Sequence, residues 1–209
     1  MLAPLLALAL AASLPSTPSF PSLQGGETLG GGASQLAFAA GFSTLSAAYA
    51  QGWGDGSDYG VALDFDWLST ELVLGGLYRQ ITWRRGDLAL AWRARAGFYA
   101  DLGSTWSLST NHGDTGVRLT PGLALSTRTA RGLLAVGVDA PFTVTFSGGG
   151  GYAIGFLGTV SFETPLWGDL LAGARLGAGG LWSRSGAPFA NDSPRTLLDV
   201  TALLTYRMF

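Results

Sequence analysis

The stretch Leu133–Phe146, LLAVGVDAPFTVTF, alternates without a break. Leu134, Val136, Val138, Ala140, Phe142, Val144 and Phe146 form one apolar face. Leu133, Ala135, Gly137, Asp139, Pro141, Thr143 and Thr145 form a mostly small or polar one. Strands of globular proteins run only ~5–6 residues, so a dyad pattern held this long is hard to place in a soluble core. A tilted strand crossing a bilayer needs ~9–11 residues of this alternation. The pattern therefore constrains environment before it constrains function.

The same rule repeats along the chain. Tyr59, Val61, Leu63, Phe65 and Trp67 share a face, opposite Gly60, Ala62, Asp64 and Asp66. A turn at Ser69–Thr70 would set Trp67 against Leu72, Phe65 against Leu74 and Val61 against Tyr78, keeping the apolar face across the hairpin. Leu88, Leu90, Trp92, Ala94, Ala96 and Phe98 come next, backed by Arg93, Arg95, Tyr99 and Asp101. Further faces are Val117–Leu125, Tyr152–Phe162, Leu170–Trp182 and Leu198–Met208 at every second residue. Residues 34–50 fit either a hairpin turning near Phe42–Thr44 or a helix presenting Phe38, Phe42, Leu45 and Tyr49. The hairpin gives ten strands and the helix eight, both even as single-chain bacterial barrels require. The pattern predicts an all-β, antiparallel up-and-down transmembrane β-barrel, with ten strands preferred over eight. The competing expectation is a soluble sandwich of half-buried strands.

Composition narrows this further. Only 12% of the 209 residues are charged and 47% are hydrophobic, against roughly 25% charged in an ordinary soluble domain. Mean hydropathy is +0.30, yet beyond the N-terminus no run of about 18 apolar residues could form a spanning helix. The absence of cysteine excludes disulfides and thiolate metal sites. One histidine and no cysteine leave only carboxylates as metal ligands, so no metal or other cofactor is expected. Net charge is −2 with no basic block, so nucleic acid is not an expected partner. All basic residues are Arg; coding bias explains this, as does the fit of the planar guanidinium to paired charges in a lumen.

Three regions are expected. Residues 1–12, MLAPLLALALAA, form an apolar stretch with an A-x-A pattern and read as a signal peptide, although no Lys or Arg precedes it. Residues 13–33, rich in Pro, Ser and Gly, read as a flexible linker without a core of its own. Residues 34–209 form the barrel. Short connections at Arg84–Asp87, Thr127–Gly132 and Pro165–Asp169 alternate with longer ones at Leu102–Thr115, Ser147–Gly151 and Ser183–Pro194. Short periplasmic turns and longer external loops place the C-terminus in the periplasm; Gln51–Asp58 is long for such a turn. Aromatics gather near strand ends on the apolar face (Tyr59, Trp67, Tyr78, Phe142, Phe146, Tyr152, Phe162, Trp182 and Tyr206), as membrane interfaces favour. Pro121 and Pro141 each remove a ladder hydrogen bond and belong at bulges or strand ends.

On these residues the chain resembles the small outer-membrane β-barrel proteins of Gram-negative bacteria, by pattern over residues of about 34–209. The final strand, Leu197–Phe209 (LLDVTALLTYRMF), carries the resemblance best. The resemblance implies that this strand, through Tyr206 and Phe209, is the signal read by the barrel-assembly machinery. Tyr206 and Met208 share the outward face while Phe209 falls on the other. It also implies outer-membrane lipid as surroundings, a monomer, and loops 102–115 and 183–194 presented outside to an unidentified ligand.

Candidate chemistry is sparse. His112, two residues from Asp114, could be an oriented general base, and Asp64 and Asp66 place two carboxylates on the inner face. A paired-Asp strand with a His/Asp pair resembles the omptin-type outer-membrane proteases, with the order of the two elements reversed. The alternative is that Asn111–Asp114 is a solvated turn and that Asp64 and Asp66 pair with Arg93, Arg95 or Arg118. The inward charges Asp64, Asp66, Glu71, Arg79, Arg93, Arg95, Arg118, Asp139, Glu163, Arg175, Asp199 and Arg207 are of mixed sign. Pairing satisfies them in a lumen roughly filled by side chains; a thin polar path for small solutes is the other use. The leading expectation is a structural or loop-mediated role without catalysis. A narrow channel stands second, and a surface hydrolase using His112 third.

Overall fold

The dyad segments become strands and nothing else. The computed structural model describes residues 22–54, 56–67, 70–102, 114–147, 150–185 and 195–208. Its regular elements are β1 (Ser34–Gly41), β2 (Thr44–Trp53), β3 (Ser57–Asp66), β4 (Glu71–Arg85), β5 (Leu88–Asp101), β6 (Thr115–Thr129), β7 (Gly132–Asp139), β8 (Phe142–Thr145), β9 (Gly151–Trp167), β10 (Leu170–Ser185) and β11 (Arg195–Met208). Neighbours pair antiparallel, and β11 returns to pair with β1, so the sheet closes on itself. Residues 34–50 form the hairpin of β1 and β2, which decides for ten staves rather than eight.

The alternating stretch Leu133–Phe146 is one stave broken in two. Gly122 faces Asp139 on β7, and Leu119 faces Phe142 on β8, so the register runs through the gap unchanged. On the other side Asp139 faces Leu157 and Phe142 faces Ile154, again without a shift. The gap has a direct cause. Ala140 N donates to the Pro121 carbonyl at 2.8 Å, but Pro121 has no N–H to return the bond. Gly155 N donates to the Pro141 carbonyl at 2.7 Å, and Pro141 likewise returns nothing. Two adjacent residues each lose one ladder bond, on opposite sides. Pro121 therefore lies in the middle of β6 rather than at a strand end, directly beside the break.

Following the register once round the wall returns to β1 displaced by about 12 residues, a stagger that tilts ten strands by about 40°, within the usual barrel range. At one end the chain turns in two residues, Gly86–Asp87, Ala130–Arg131 and Gly168–Asp169. Gly86 and Gly168 have φ of 57° and 54°, the left-handed first corner that a II′ hairpin demands. The same end holds Gly54–Gly56, so the connection that looked long is only three residues. The opposite end carries the connections after β5 and β10. It also carries the short Phe42–Ser43 turn, so length does not alternate everywhere. The β3–β4 pairing sets Phe65 against Leu72 and Tyr59 against Tyr78, two residues from the expected register, because the turn is longer. A shift of two preserves the faces.

Those faces are inverted relative to a soluble protein. Outward residues are large and exposed, as in Phe38, Val61, Leu74, Phe98, Leu123, Val136, Phe156 and Val200. The fully buried side chains of greatest volume are Gln35, Asp58, Ser22 and Ser126, all polar. Most buried wall hydrophobics are alanines, including Ala50, Ala62, Ala89, Ala91, Ala124 and Ala135. Outside, Trp53 meets Tyr59 edge-on at 6.1 Å, Tyr59 pairs with Tyr78, and Tyr78 meets Trp92 at 5.1 Å, giving a continuous aromatic row near the short-turn end.

If β7 and β8 are one stave, the new amide in Pro121→Ala faces the Ala140 carbonyl and closes the ladder. Hydrogen exchange of the folded barrel should find that amide as protected as its neighbours in β6. Rapid exchange there would mean that β8 is an independent strand.

Candidate functional site: a plugged lumen

The expected linker is not one in its described part. Most of residues 22–33 lies inside the barrel, where Ser22, Leu23, Glu27, Thr28, Leu29 and Ala33 are buried, while Gly31 and Gly32 are exposed. The physical reason is width. Eight strands enclose a space that side chains just fill, whereas ten strands lined by Ala, Gly, Ser and Thr leave a lumen that the wall cannot fill alone. The chain fills it with main chain. Leu23 and Leu29 pack with Ala33 and Ala50, against Ala37, Ala48 and Leu77. Gly26 lies so close to β5 and β6 that a Cβ there would collide with the Ala89 and Ala124 carbonyls. Gly25 N donates to the Ser22 carbonyl at 3.2 Å, folding the segment back on itself.

Four arginines from four strands hold this plug. Arg79 on β4 grips Asp58 with Nη2 at 2.6 Å and Nε at 3.3 Å. Its Nη1 donates to the plug carbonyls of Ser22 and, at 2.8 Å, Gly25. Asp58 also accepts Leu29 N at 3.1 Å. Arg93 on β5 is bidentate to Asp139 at 2.9 and 2.7 Å and donates to the Gln24 carbonyl at 3.2 Å. Arg175 on β10 binds Asp199 at 2.6 Å and the Gln24 side-chain carbonyl at 3.1 Å. Arg128 on β6 reaches Glu27 at 2.8 Å. Ser22 Oγ donates to Glu163, Thr205 Oγ1 lies 3.5 Å from the same carboxylate, and Gly26 N donates to Ser126 Oγ at 2.9 Å. Three of the guanidiniums are thus aimed by a wall carboxylate, and their remaining donors meet the plug.

Toward the long-loop end the pairs become more exposed. Arg79 and Asp58 are 3% and 0% exposed, whereas Arg95 and Asp64 sit 3.6 Å apart at 39% and 26%. Arg118 binds Glu71 at 2.7 Å and Thr143 at 3.1 Å, with its guanidinium 5.6 Å from the Tyr99 ring centre. The plug closes the short-turn half of the lumen, and the wall of the other half is wetter. The expectation of a lumen filled by side chains is corrected accordingly.

The inward charges expected from sequence lie on inward positions, and their partners are now specific. Asp64 pairs with Arg95 rather than Arg93 or Arg118. Asp66 accepts Ser43 Oγ at 3.1 Å. Arg207 is inward on β11, opposite Gln35. Asp114 lies 3.4 Å from Ser147 Oγ. Tyr206 is outward and exposed. His112 and Phe209 lie outside the described residues, as does the proposed signal peptide. Among the described residues no group of three or more His, Cys, Asp or Glu side chains could hold a metal ion. Sequence reasoning missed Asp58, Glu27 and Arg128, because Asp58 and Arg128 had been assigned to turns and Glu27 to the linker.

No family model, curated protein or solved structure matches this chain. What the site can do must come from its own geometry. That geometry is polar, internally paired and occupied by the chain itself.

Arg79→Met should cost about 3–5 kcal/mol, because it leaves Asp58 buried without its cation. Arg79→Met with Asp58→Leu should recover most of the loss. Denaturant unfolding of the refolded barrel in detergent reads both, and an additive double variant would remove Arg79 and Asp58 as a coupled pair.

Proposed function

We propose that this protein is an outer-membrane β-barrel whose wall crosses the bilayer and whose resting lumen is closed. Its role is structural or carried by the long connections after β5 and β10, not catalytic. The observation that carries the reading is the inverted distribution of polarity around a closed sheet. A soluble protein with Phe38, Val61, Phe98, Val136, Phe156 and Val200 exposed together would present apolar surface far beyond the few hundred Å² normally tolerated. From Tyr59 to Trp67 a tilted strand rises about 20 Å, near the ~25 Å apolar band of outer-membrane barrels. The short-turn end, with the C-terminus, faces the periplasm in this reading. The barrel works as a monomer, and β11 presents Tyr206 to the assembly machinery.

The plug disfavours a permanently open channel. A hydrolase reading draws no support from Asp64, which is engaged by Arg95.

The cleanest test is fractionation followed by electrophoresis with and without boiling. A folded barrel should be found with outer membranes and migrate differently before heating; a soluble, non-shifting protein would overturn the proposal. Within the same framework, Val136→Arg puts a cation on the outward face midway along its stave. It should destabilise the lipid-inserted barrel by about 2–4 kcal/mol. Folding titrations in vesicles measure it, and no loss would mean that this face does not meet hydrocarbon.

A further inference from the structure

We infer that residues 22–33 are a displaceable gate, and that a barrel without them conducts small cations. The inference rests on the membrane reading above and adds an activity to it.

The first argument concerns how the plug is bound. It joins the wall covalently at Ala33–Ser34, and most of its polar contacts are hydrogen bonds to guanidiniums. Arg79, Arg93 and Arg175 keep Asp58, Asp139 and Asp199 whether or not the plug is present. The wall therefore retains its charge pairing when the plug leaves; among these pairs only Arg128–Glu27 crosses the boundary. The plugged state is also imperfect. Gln35, wholly buried on the inward face of β1, has neither amide atom hydrogen-bonded, and Thr28 Oγ1 on the plug is buried without a partner. Emptying the lumen would open the Gln35 amide and the Thr28 hydroxyl to bulk water.

The second argument concerns width. The lumen admits a polypeptide folded back at Ser22–Gly25, a cross-section larger than a hydrated path for small ions needs. Toward the long-loop end the inward positions include the small residues Ala39, Gly75, Gly97 and Gly179. The third argument concerns sign. At the long-loop mouth Asp66 is in register with Glu71, and Glu71 with Asp101, three acids on adjacent strands. Among the described residues toward this end, Asp64, Asp66, Glu71, Asp101 and Asp114 outnumber Arg95, Arg118 and Arg195. A mouth of this sign favours cations.

The test is planar-bilayer recording of the full chain and of a form lacking residues 22–33, both first shown to float with liposomes and to shift on heating. Failure to float or shift would count against the membrane reading itself. The full chain should be silent and the deletion should give discrete steps at least tenfold above background, with a reversal potential favouring potassium over chloride. A synthetic peptide of residues 22–33 should close the open form, and the same peptide with Glu27→Arg should not. Should the deletion fail to fold, Gly26→Val in the full chain displaces the plug by collision, and should both conduct and expose residues 22–33 to protease. A folded, inserted deletion that stays silent overturns the gate. So does a Gly26→Val chain that exposes the plug to protease without conducting, or a pore that prefers chloride.

Discussion

A closed sheet with an apolar exterior has nowhere to put polar groups except inside, and the width of ten strands decides what the inside must contain. An interior lined by alanine and glycine cannot close its own volume. If it holds only water, nothing braces the walls across the lumen. Bringing main chain into that space supplies volume but also introduces amides and carbonyls, each costly if left unpaired. The arginine–aspartate forks resolve this conflict. Each aspartate fixes a guanidinium in one plane, and the leftover donors meet the plug carbonyls at 2.8–3.2 Å.

That arrangement depends on arginine rather than on positive charge. A lysine at position 79 could bind Asp58 or the plug carbonyls, but three rotatable donors on one nitrogen cannot hold both in a fixed geometry. Arg79 uses Nε and Nη2 on the carboxylate and Nη1 on the backbone of residues 22 and 25. Arg93 repeats the division with Asp139 and Gln24. The exclusive use of arginine, which coding bias also explains, thus has a structural use at four of the twelve positions.

The faces of every stave were readable from alternation because the dyad period is a property of the strand itself. Turn registers were less so: Phe65 meets Leu72 instead of Leu74, since alternation cannot distinguish shifts of two. The plug was unreadable for a different reason. SLQGGETLGGGA has neither a two-residue nor a 3.6-residue period, because its shape is dictated by the walls around it rather than by a face of its own. The indirect signal was present in the wall. Ala50, Ala62, Ala89, Ala91, Ala124 and Ala135 are all inward and small near the short-turn end, and ten strands with such a lining require a filler from elsewhere in the chain. Glu27, the lone acid in that stretch, is the residue that marks it.

The same reasoning bears on which levels of the wall residues 22–33 touch. These 12 residues extend no further than ~40 Å, and the turn at Ser22–Gly25, at the end far from the tether, shortens that reach. Tethered at Ala33 on the short-turn end, such a segment covers the levels of Asp58, Arg79, Arg128 and Glu163, and at its furthest those of Arg93 and Arg175. It does not reach Asp64 and Arg95. That pair lies beyond the contacts made by residues 22–33 and is the more exposed, whereas Arg79 and Asp58, which those residues touch, are tightly buried. The gradient of burial along the lumen therefore follows the contacts that residues 22–33 make with the wall, densest beside the Ala33–Ser34 junction.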